Sequence, residues 1–460
     1  MPRPADHGGM TACVVDRTAS VDRAMTGMSE AGVRVVALSW VDNAGISRVK
    51  AVPLGRLPQL AARGVGMSPV FDTFLVDDST ARADGHGSPV GDLLLLPDMD
   101  RLVPLAAQPG WAWAPADRYS QDGAPYPGCH RSFVSRMVQG AKDQGLSLRM
   151  GFETEWSTGP GGLGDGPAYG LSRLADSGAY LLDVVDALTA QGVEVLQVHP
   201  EYEPGQFEVS TAADGPLGAA DTAVLVRHTV RSVSHAHGLR ASFAPLAEPS
   251  GIGNGGHVHL SLWRGEENLM HGGTGPHGMT SEGEAFLAGV LRSLPALTAI
   301  GCPTPASYLR LAPSAWAGAY GCWGWENREA ALRFVTGPAQ TASHCANAEI
   351  KSFDQAANPY LVVGSVIAAG LAGCEEALRL PEEYTDDPAH ADPGELARRG
   401  IERLPAGLEE AVRHLEGSAV LRKAMGDHLF GSVLAVRAAE ARLFTDRTRA
   451  ETVEATRWRY

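Results

Sequence analysis

Gly151-Phe152-Glu153-Thr154-Glu155-Trp156 places two carboxylates two residues apart inside a run, Leu148 to Trp156, that reads as a β-strand. Side chains two apart on a strand share a face and stand about 7 Å from each other. Two unpaired carboxylates on a buried face are costly, so a fold that buries them must bring something positive between or over them. Taken alone, the stretch also fits a solvent-facing strand edge.

Three further stretches have the same character. His199-Pro200-Glu201-Tyr202-Glu203-Pro204-Gly205-Gln206-Phe207-Glu208 carries three glutamates around a Pro-Gly turn, and by itself also fits an exposed acidic loop. In Gly253-Asn254-Gly255-Gly256-His257-Val258-His259-Leu260-Ser261 a glycine-rich turn feeds a strand on which His257 and His259 share a face. A lone histidine of this kind is more often structural than a ligand. Ala348-Glu349-Ile350-Lys351 precedes Asn358-Pro359, where Asn can cap a helix and Pro suits its first turn. Oxygen-rich sites with an imidazole suit Mg²⁺ or Mn²⁺ better than structural Zn²⁺. Two such ions would stabilise charge during phosphoryl transfer. The segment from Ser307 to Phe334 adds Arg310, Arg328 and Arg333, separated by aromatic and small residues. Three arginines alone are ordinary surface groups; their coincidence with the acidic set suggests phosphates or a carboxylate as ligands.

The pattern along the chain is mixed α and β. Residues 1–20 read as a flexible tail. Val33 to Leu38 and Asp92 to Asp98 read as strands in a small strand-rich unit over residues 21–125. A larger unit over 126–460 begins with a helix from Arg131 to before Gly145. It continues with a flexible Gly159 to Gly166 loop, helices at Ala179 to Gln191 and Ala219 to His237, and strands at Val193 to Val198, Arg240 to Pro245 and His257 to Trp263. With 44% hydrophobic and 20% charged residues the chain can bury a sizeable core. A formal charge of -15 argues against a nucleic-acid partner and suits a cytoplasmic protein. Its longest apolar run, Tyr360 to Cys374, is too short to span a bilayer. The six cysteines show no C-x-x-C spacing, which argues against a disulfide framework or zinc ribbon.

In combination these stretches resemble the glutamine synthetase family. Five blocks occur in family order: GFETEW (151–156), HPEYEPGQFEV (199–209), GNGGHVHLSLW (253–263), PTPASYLRLAPSAWAGAYGCWGWENREAALRF (303–334) and EIKSFDQAANPYL (349–361). The resemblance implies an α+β architecture, with a β-grasp-like N-terminal domain and a catalytic domain holding a curved antiparallel sheet. It implies a homo-oligomeric ring, a dodecamer of two stacked hexamers, with active sites at subunit borders. It implies that ATP, glutamate and an amine are substrates. One divalent ion would be held by Glu155, Glu201 and Glu208, and a second by Glu153, His257 and Glu349. Arg328 and Arg333 would stabilise phosphate charge, and His259 and Ser261 would lie along the nucleotide. Arg310 and the Gly253 backbone would hold glutamate. The implied reaction activates the γ-carboxylate as an acyl phosphate, which an amine then attacks.

The departures from the family pattern concern the amine. The flap glutamate that helps bind and deprotonate ammonium is replaced by Trp316, six residues after Arg310. The N-terminal carboxylate that also contacts ammonium aligns best with Ser68, with Asp72 as a competitor. A tryptophan face can pack an alkyl chain and attract an alkylammonium by about 0.5–2 kcal/mol. The expected acceptor is therefore a primary amine, with ethanolamine favoured and a polyamine next. Glu203, Asp72, Asp77 and Asp78 are the candidate proton acceptors. Lys351 and Asn347 stand where the family has arginines, so the substrate carboxylate loses a bidentate grip at Lys351. Glutamine synthesis from ammonia and a non-catalytic binding role are the competing expectations.

Overall fold

The computed structural model describes residues 21–83, 85–159 and 163–460. The tail expected at 1–20 and positions 160–162 of the Gly159 to Gly166 loop lie outside the described residues.

The N-terminal part is built on six strands: β1 (Val35–Val41), β2 (Ser47–Pro53), β3 (Val65–Met67), β4 (Leu93–Pro97), β5 (Val103–Pro104) and β6 (Trp111–Tyr119). Their order is β2-β1-β6-β4-β3, with β5 on β6. The central pair β1–β6 is parallel and its neighbours pair antiparallel, as in a β-grasp. Val36, Leu38, Leu95, Leu57 and Leu60 pack one face into a small core of their own. β1 extends three residues beyond the expected strand end, to a turn at Asp42–Gly45. Gly45 has φ +88° there, and a Cβ would lie 1.9 Å from the carbonyl oxygen of Ala356, so no larger residue fits.

The second sheet has eight strands: β7 (Ser147–Ser157), β8 (Val195–Pro200), β9 (Gln206–Thr211), β10 (Val258–Arg264), β11 (Glu267–Asn268), β12 (Tyr320–Trp325), β13 (Ala330–Val335) and β14 (Asn347–Ile350). The order is β12-β13-β14-β10-β7-β9-β8, with β11 on β10. The sheet is antiparallel as expected except for β12–β13, which run parallel. The expected strand at Arg240 to Pro245 is absent. Its backbone finds other partners: the Asn254 amide donates to the carbonyls of Ser242 and Ala244, and Phe243 N–H donates to the Tyr460 carbonyl. A single bridge, Ser157 to Ser242, is all that joins it to the sheet.

Helices pack behind this sheet. Asn358 caps the helix Pro359–Glu375, its side-chain oxygen accepting from Tyr360 and Leu361 N–H. That helix crosses Ser281–Gly301 at two glycines. A Cβ on Gly289 would lie 2.3 Å from the Ala369 carbonyl, and one on Gly373 2.2 Å from that of Ala285. Ser281–Gly301 is long and apolar enough to cross a membrane, but 83% of its apolar window is buried, which marks it as a core helix. The helix expected from Ala179 begins earlier, at Leu171.

Arg131, buried on the helix His130–Asp143, ties the two parts together. Its guanidinium donates to Asp98 at the end of β4, to Asp117 on β6 and to the buried Asp221 of the helix Pro216–Ala236, at 2.7 to 3.0 Å.

Candidate functional site

Strand register assembles the acidic set. Across β8, β9 and β7, His199 faces Glu208 and Glu208 faces Glu155. Across β13, β14 and β10, Arg333 faces Glu349 and Glu349 faces His259. Glu153 joins the two rows, because it shares a face of β7 with Glu155 and reaches both histidines of the β10 segment. Its carboxylate lies 2.8 Å from His257 Nδ1 and 3.1 Å from His259 Nε2. His257 Nδ1 is also 3.3 Å from Glu349. Residues scattered from 153 to 349 thus converge at one end of the sheet.

Three groups of donor atoms lie within 4.8 Å of one another: His199, Glu201 and Glu208; Glu153, Glu208 and His257; and Glu153, His259 and Glu349. Glu155 sits beside them, accepting from Gly255 N–H at 2.8 Å and Gln206 at 3.3 Å. Burial, with Glu208 and Glu201 close by, pushes the Glu155 carboxyl up to about 8. Burial likewise raises Glu201. Burial would also raise Glu349, but Lys351, His257 and His259 outweigh it and hold it down to about 2. His199 is lifted to about 9, first by its hydrogen bond to Glu208. The donor set, carboxylate-rich with imidazoles, fits hard divalent ions.

These groups open on a cavity of about 1000 Å³ lined by Glu153, Glu155, Glu201, Glu208, His257, Gly253, Arg310, Trp316, Arg328, Arg333 and Lys351, among others. Glu349 and His259 stand just behind its wall. Arg333 donates to Glu349 at 2.9 Å and to Glu326, and Lys351 Nζ donates to Glu349 at 3.0 Å. Arg328 is exposed on the turn between β12 and β13, with no ion pair among the described residues. Arg310 is 7% exposed, and its Nη2 donates to the carbonyls of Ser352 and Phe353 at 2.6 and 2.8 Å. Its Nε has no partner among the described residues. Gly253 is there because Arg310 lies on it: a Cβ would fall 2.1 Å from Arg310 Cγ.

Trp316 is 55% exposed at the cavity wall, in a loop (residues 311–317) that belongs to no strand or helix. Its φ is +53° and that of Ser314 is +52°. Outside glycine such backbone costs about 1–2 kcal/mol per residue. Trp316 N–H donates to Glu329 at 2.9 Å, and the Ser314 hydroxyl donates to Asp387 at 2.8 Å.

Several expected groups do not reach the cavity of their own chain. Ser261 is buried on β10, where its oxygen accepts the Trp263 indole N–H at 2.8 Å. Ser68 caps a short turn of helix, accepting from Val70 N–H. Asp72 is buried in an ion pair with Arg118 and accepts the Tyr126 hydroxyl, so it is not a free proton acceptor. Asp77 accepts from Ser79, and Asp78 pairs with Arg48 and Arg459. Glu203 accepts Ile252 N–H. Asn347, at the edge of the site, lies with its Oδ1 2.8 Å from His259 Nδ1. The structure adds Tyr169, whose hydroxyl donates to Glu201 at 2.7 Å from the cavity wall, and His199, which shares the acidic face. His199 was legible from its position two residues before Glu201; Tyr169, in a loop with φ +55°, carried no periodic signal.

Residues 164–457 match the family described as glutamine synthetase, catalytic domain. Over 455 residues the chain is 52% identical to the gamma-glutamylpolyamine synthetase GlnA3 of Streptomyces coelicolor, covering 97% of each protein. It is 28% identical over 443 residues to the glutamine synthetase of Methanocaldococcus jannaschii, covering 92% of this chain and 94% of that one. A crystal structure described as a novel glutamine synthase homolog superposes with a TM-score of 0.84 at 34% identity, over 93% of this chain and 99% of the other. A GmaS/ADP complex superposes with a TM-score of 0.81 at 27% identity, over 92% and 97%. With its fold, its convergent carboxylates and these likenesses together, the chain belongs to the glutamine synthetase family and is a ligase of that family.

Proposed function

We propose that the protein joins the γ-carboxylate of glutamate to a primary amine at the expense of ATP, and that the amine is a polyamine. The observation that carries the reading is Trp316: an indole, not a carboxylate, stands half-exposed at the wall of the cavity that holds the acidic set. An indole offers an alkyl chain a packing surface and an ammonium a π face, whereas bare ammonium requires carboxylates. The 52% identity to a gamma-glutamylpolyamine synthetase moves the favoured acceptor from ethanolamine to a polyamine.

In this reading Mg²⁺ or Mn²⁺, held by Glu155, Glu201 and Glu208 and by Glu153, His257 and Glu349, would supply charge neutralisation for the phosphates. Arg328 and Arg333 add fixed positive charge where it develops during transfer. Arg310, its Nη2 already anchored on backbone carbonyls, presents its remaining donors to glutamate beside the Gly253 backbone, and Lys351 adds a second positive charge. His259, behind the wall on Glu153, would back the nucleotide end of the site. The γ-carboxylate attacks the γ-phosphorus of ATP and ADP leaves, giving an acyl phosphate; the amine, having lost a proton, then attacks the acyl carbon and expels phosphate. Ser68, Asp77 and Asp78, outside their own chain's cavity, would reach a neighbour's in the ring of two stacked hexamers.

The test is phosphate release with ammonium, ethanolamine, butane-1,4-diamine and spermidine, with the products identified by mass. The expected outcome is γ-glutamyl polyamine formation exceeding glutamine formation at equal concentration. Glutamine as the main product would refute the reading of Trp316.

A further inference from the structure

The flap is moored, and its moorings are side chains that do not line the cavity. Trp316 occupies the left-handed region, which a tryptophan adopts only when something holds it there. The holder is Glu329: its Oε1 accepts Trp316 N–H at 2.9 Å, thirteen positions along the chain. Glu329 is itself fixed. Its N–H donates to the Asn327 side chain at 3.0 Å, and the Asn327 amide donates to the carbonyls of Tyr384 and Asp386 at 2.8 and 3.0 Å. A second line from the same 384–387 segment ends at Ser314, through Asp387.

We infer that Glu329 is a positioning residue for the acceptor pocket, holding the Trp316 indole at the cavity wall through the flap backbone. The inference rests on the reading of Trp316 as the acceptor's packing surface. A flap released from Glu329 can leave the left-handed conformation, and the indole leaves the wall with it. The loss falls on acceptor binding, because the groups for glutamate and phosphate do not hang on the Glu329 carboxylate: Arg310 is anchored on the carbonyls of Ser352 and Phe353, Arg333 on Glu349, and the turn that carries Arg328 is held by the Asn327 side chain. An amide oxygen can accept the same N–H, so Glu329→Gln keeps the mooring and Glu329→Ala removes it.

The experiment is steady-state kinetics on the full chain with the amine of the panel above that is turned over fastest. Glu329→Ala raises KM for that amine about tenfold while KM for ATP and glutamate stay within about twofold. Glu329→Gln restores the wild-type value, and the thermal midpoint is unchanged in both. In a Trp316→Ala background, Glu329→Ala adds no further rise, since the two residues act as one device. If Trp316→Ala raises the amine KM and Glu329→Ala alone does not, the inference fails and the acceptor reading stands. Equal rises of all three KM values, or a full additional rise in the Trp316→Ala background, would also overturn the mooring. If Trp316→Ala leaves the amine KM unchanged, the acceptor reading itself falls.

Discussion

Gly253 and Arg310 show how tightly single residues are matched around the cavity. Arg310 lies across Gly253, and the Pro245 carbonyl stands 2.7 Å from where a Cβ would be. Backbone on one side and the methylenes of the buried Arg310 on the other leave no direction in which an added methyl could relax. Gly253→Ala should therefore displace Arg310 and raise KM for glutamate roughly tenfold or more, with KM for ATP little altered. A KM for glutamate unchanged in this variant would show that Arg310 does not contact the substrate. At this scale Glu201, Glu208 and Glu349 entered only through the family resemblance, whereas Glu153 and Glu155 were legible as a pair, because period-two spacing fixes which side chains share a face. Glu329 was not, since it works through a backbone N–H of a residue thirteen positions away, and nothing local in Asn327-Arg328-Glu329 records that contact.

Among the elements, β9, β13 and β14 were not read as strands, whereas β7, β8 and β10 were legible in outline from short apolar runs. Their pairing was not, because register is a relation between distant segments. The parallel β12–β13 pair and the Arg240 to Pro245 stretch, joined to the sheet by the Ser157–Ser242 bridge alone among the described residues, are the instances. In the latter, a side-chain amide and a distant carbonyl satisfy the backbone, and neither is written in the stretch itself. The joint between the two sheets rests on Arg131, which faces Asp98, Asp117 and the buried Asp221. Tyr360 also donates to Asp221 at 2.8 Å. Removing Arg131 leaves the buried Asp221 with only the more distant Arg101, at 3.7 Å, as a cation partner among the described residues. Arg131→Met should cost about 3–5 kcal/mol in urea unfolding. A loss below about 1 kcal/mol would mean that Arg101 and the Tyr360 hydroxyl suffice to hold Asp221.

On the scale of the whole molecule, the N-terminal turn, the core helices and the C-terminal helix Ala419–Leu443 meet at Arg437 and Glu440. Arg437 donates to the carbonyls of Ala299 and Asn43, and Glu440 accepts Val76 N–H at 2.8 Å. Burial pushes the Glu440 carboxyl up to about 8, although Arg437 pulls the other way. In the unfolded chain it titrates near its ordinary 4.5. Between these values the folded state binds more protons than the unfolded one, so this group's contribution falls as pH rises through the window and is level above it. The slope it adds is about 1.4 kcal/mol per pH unit. Glu440→Gln should flatten the decline in unfolding free energy between pH 5.5 and 8.0; parallel wild-type and variant curves would dismiss the effect. The same view separates two parts of the site. Glu153, Glu155, Glu208 and Glu349 are fixed by the register of β7, β9 and β14, where a slip of one residue would turn them away. Trp316 sits on a loop outside any strand. Substitutions in residues 311–317 can thus vary without disturbing the strand alignment, so lineages sharing this scaffold are free to diverge in the nucleophile they accept while inheriting the same apparatus for activating an acid.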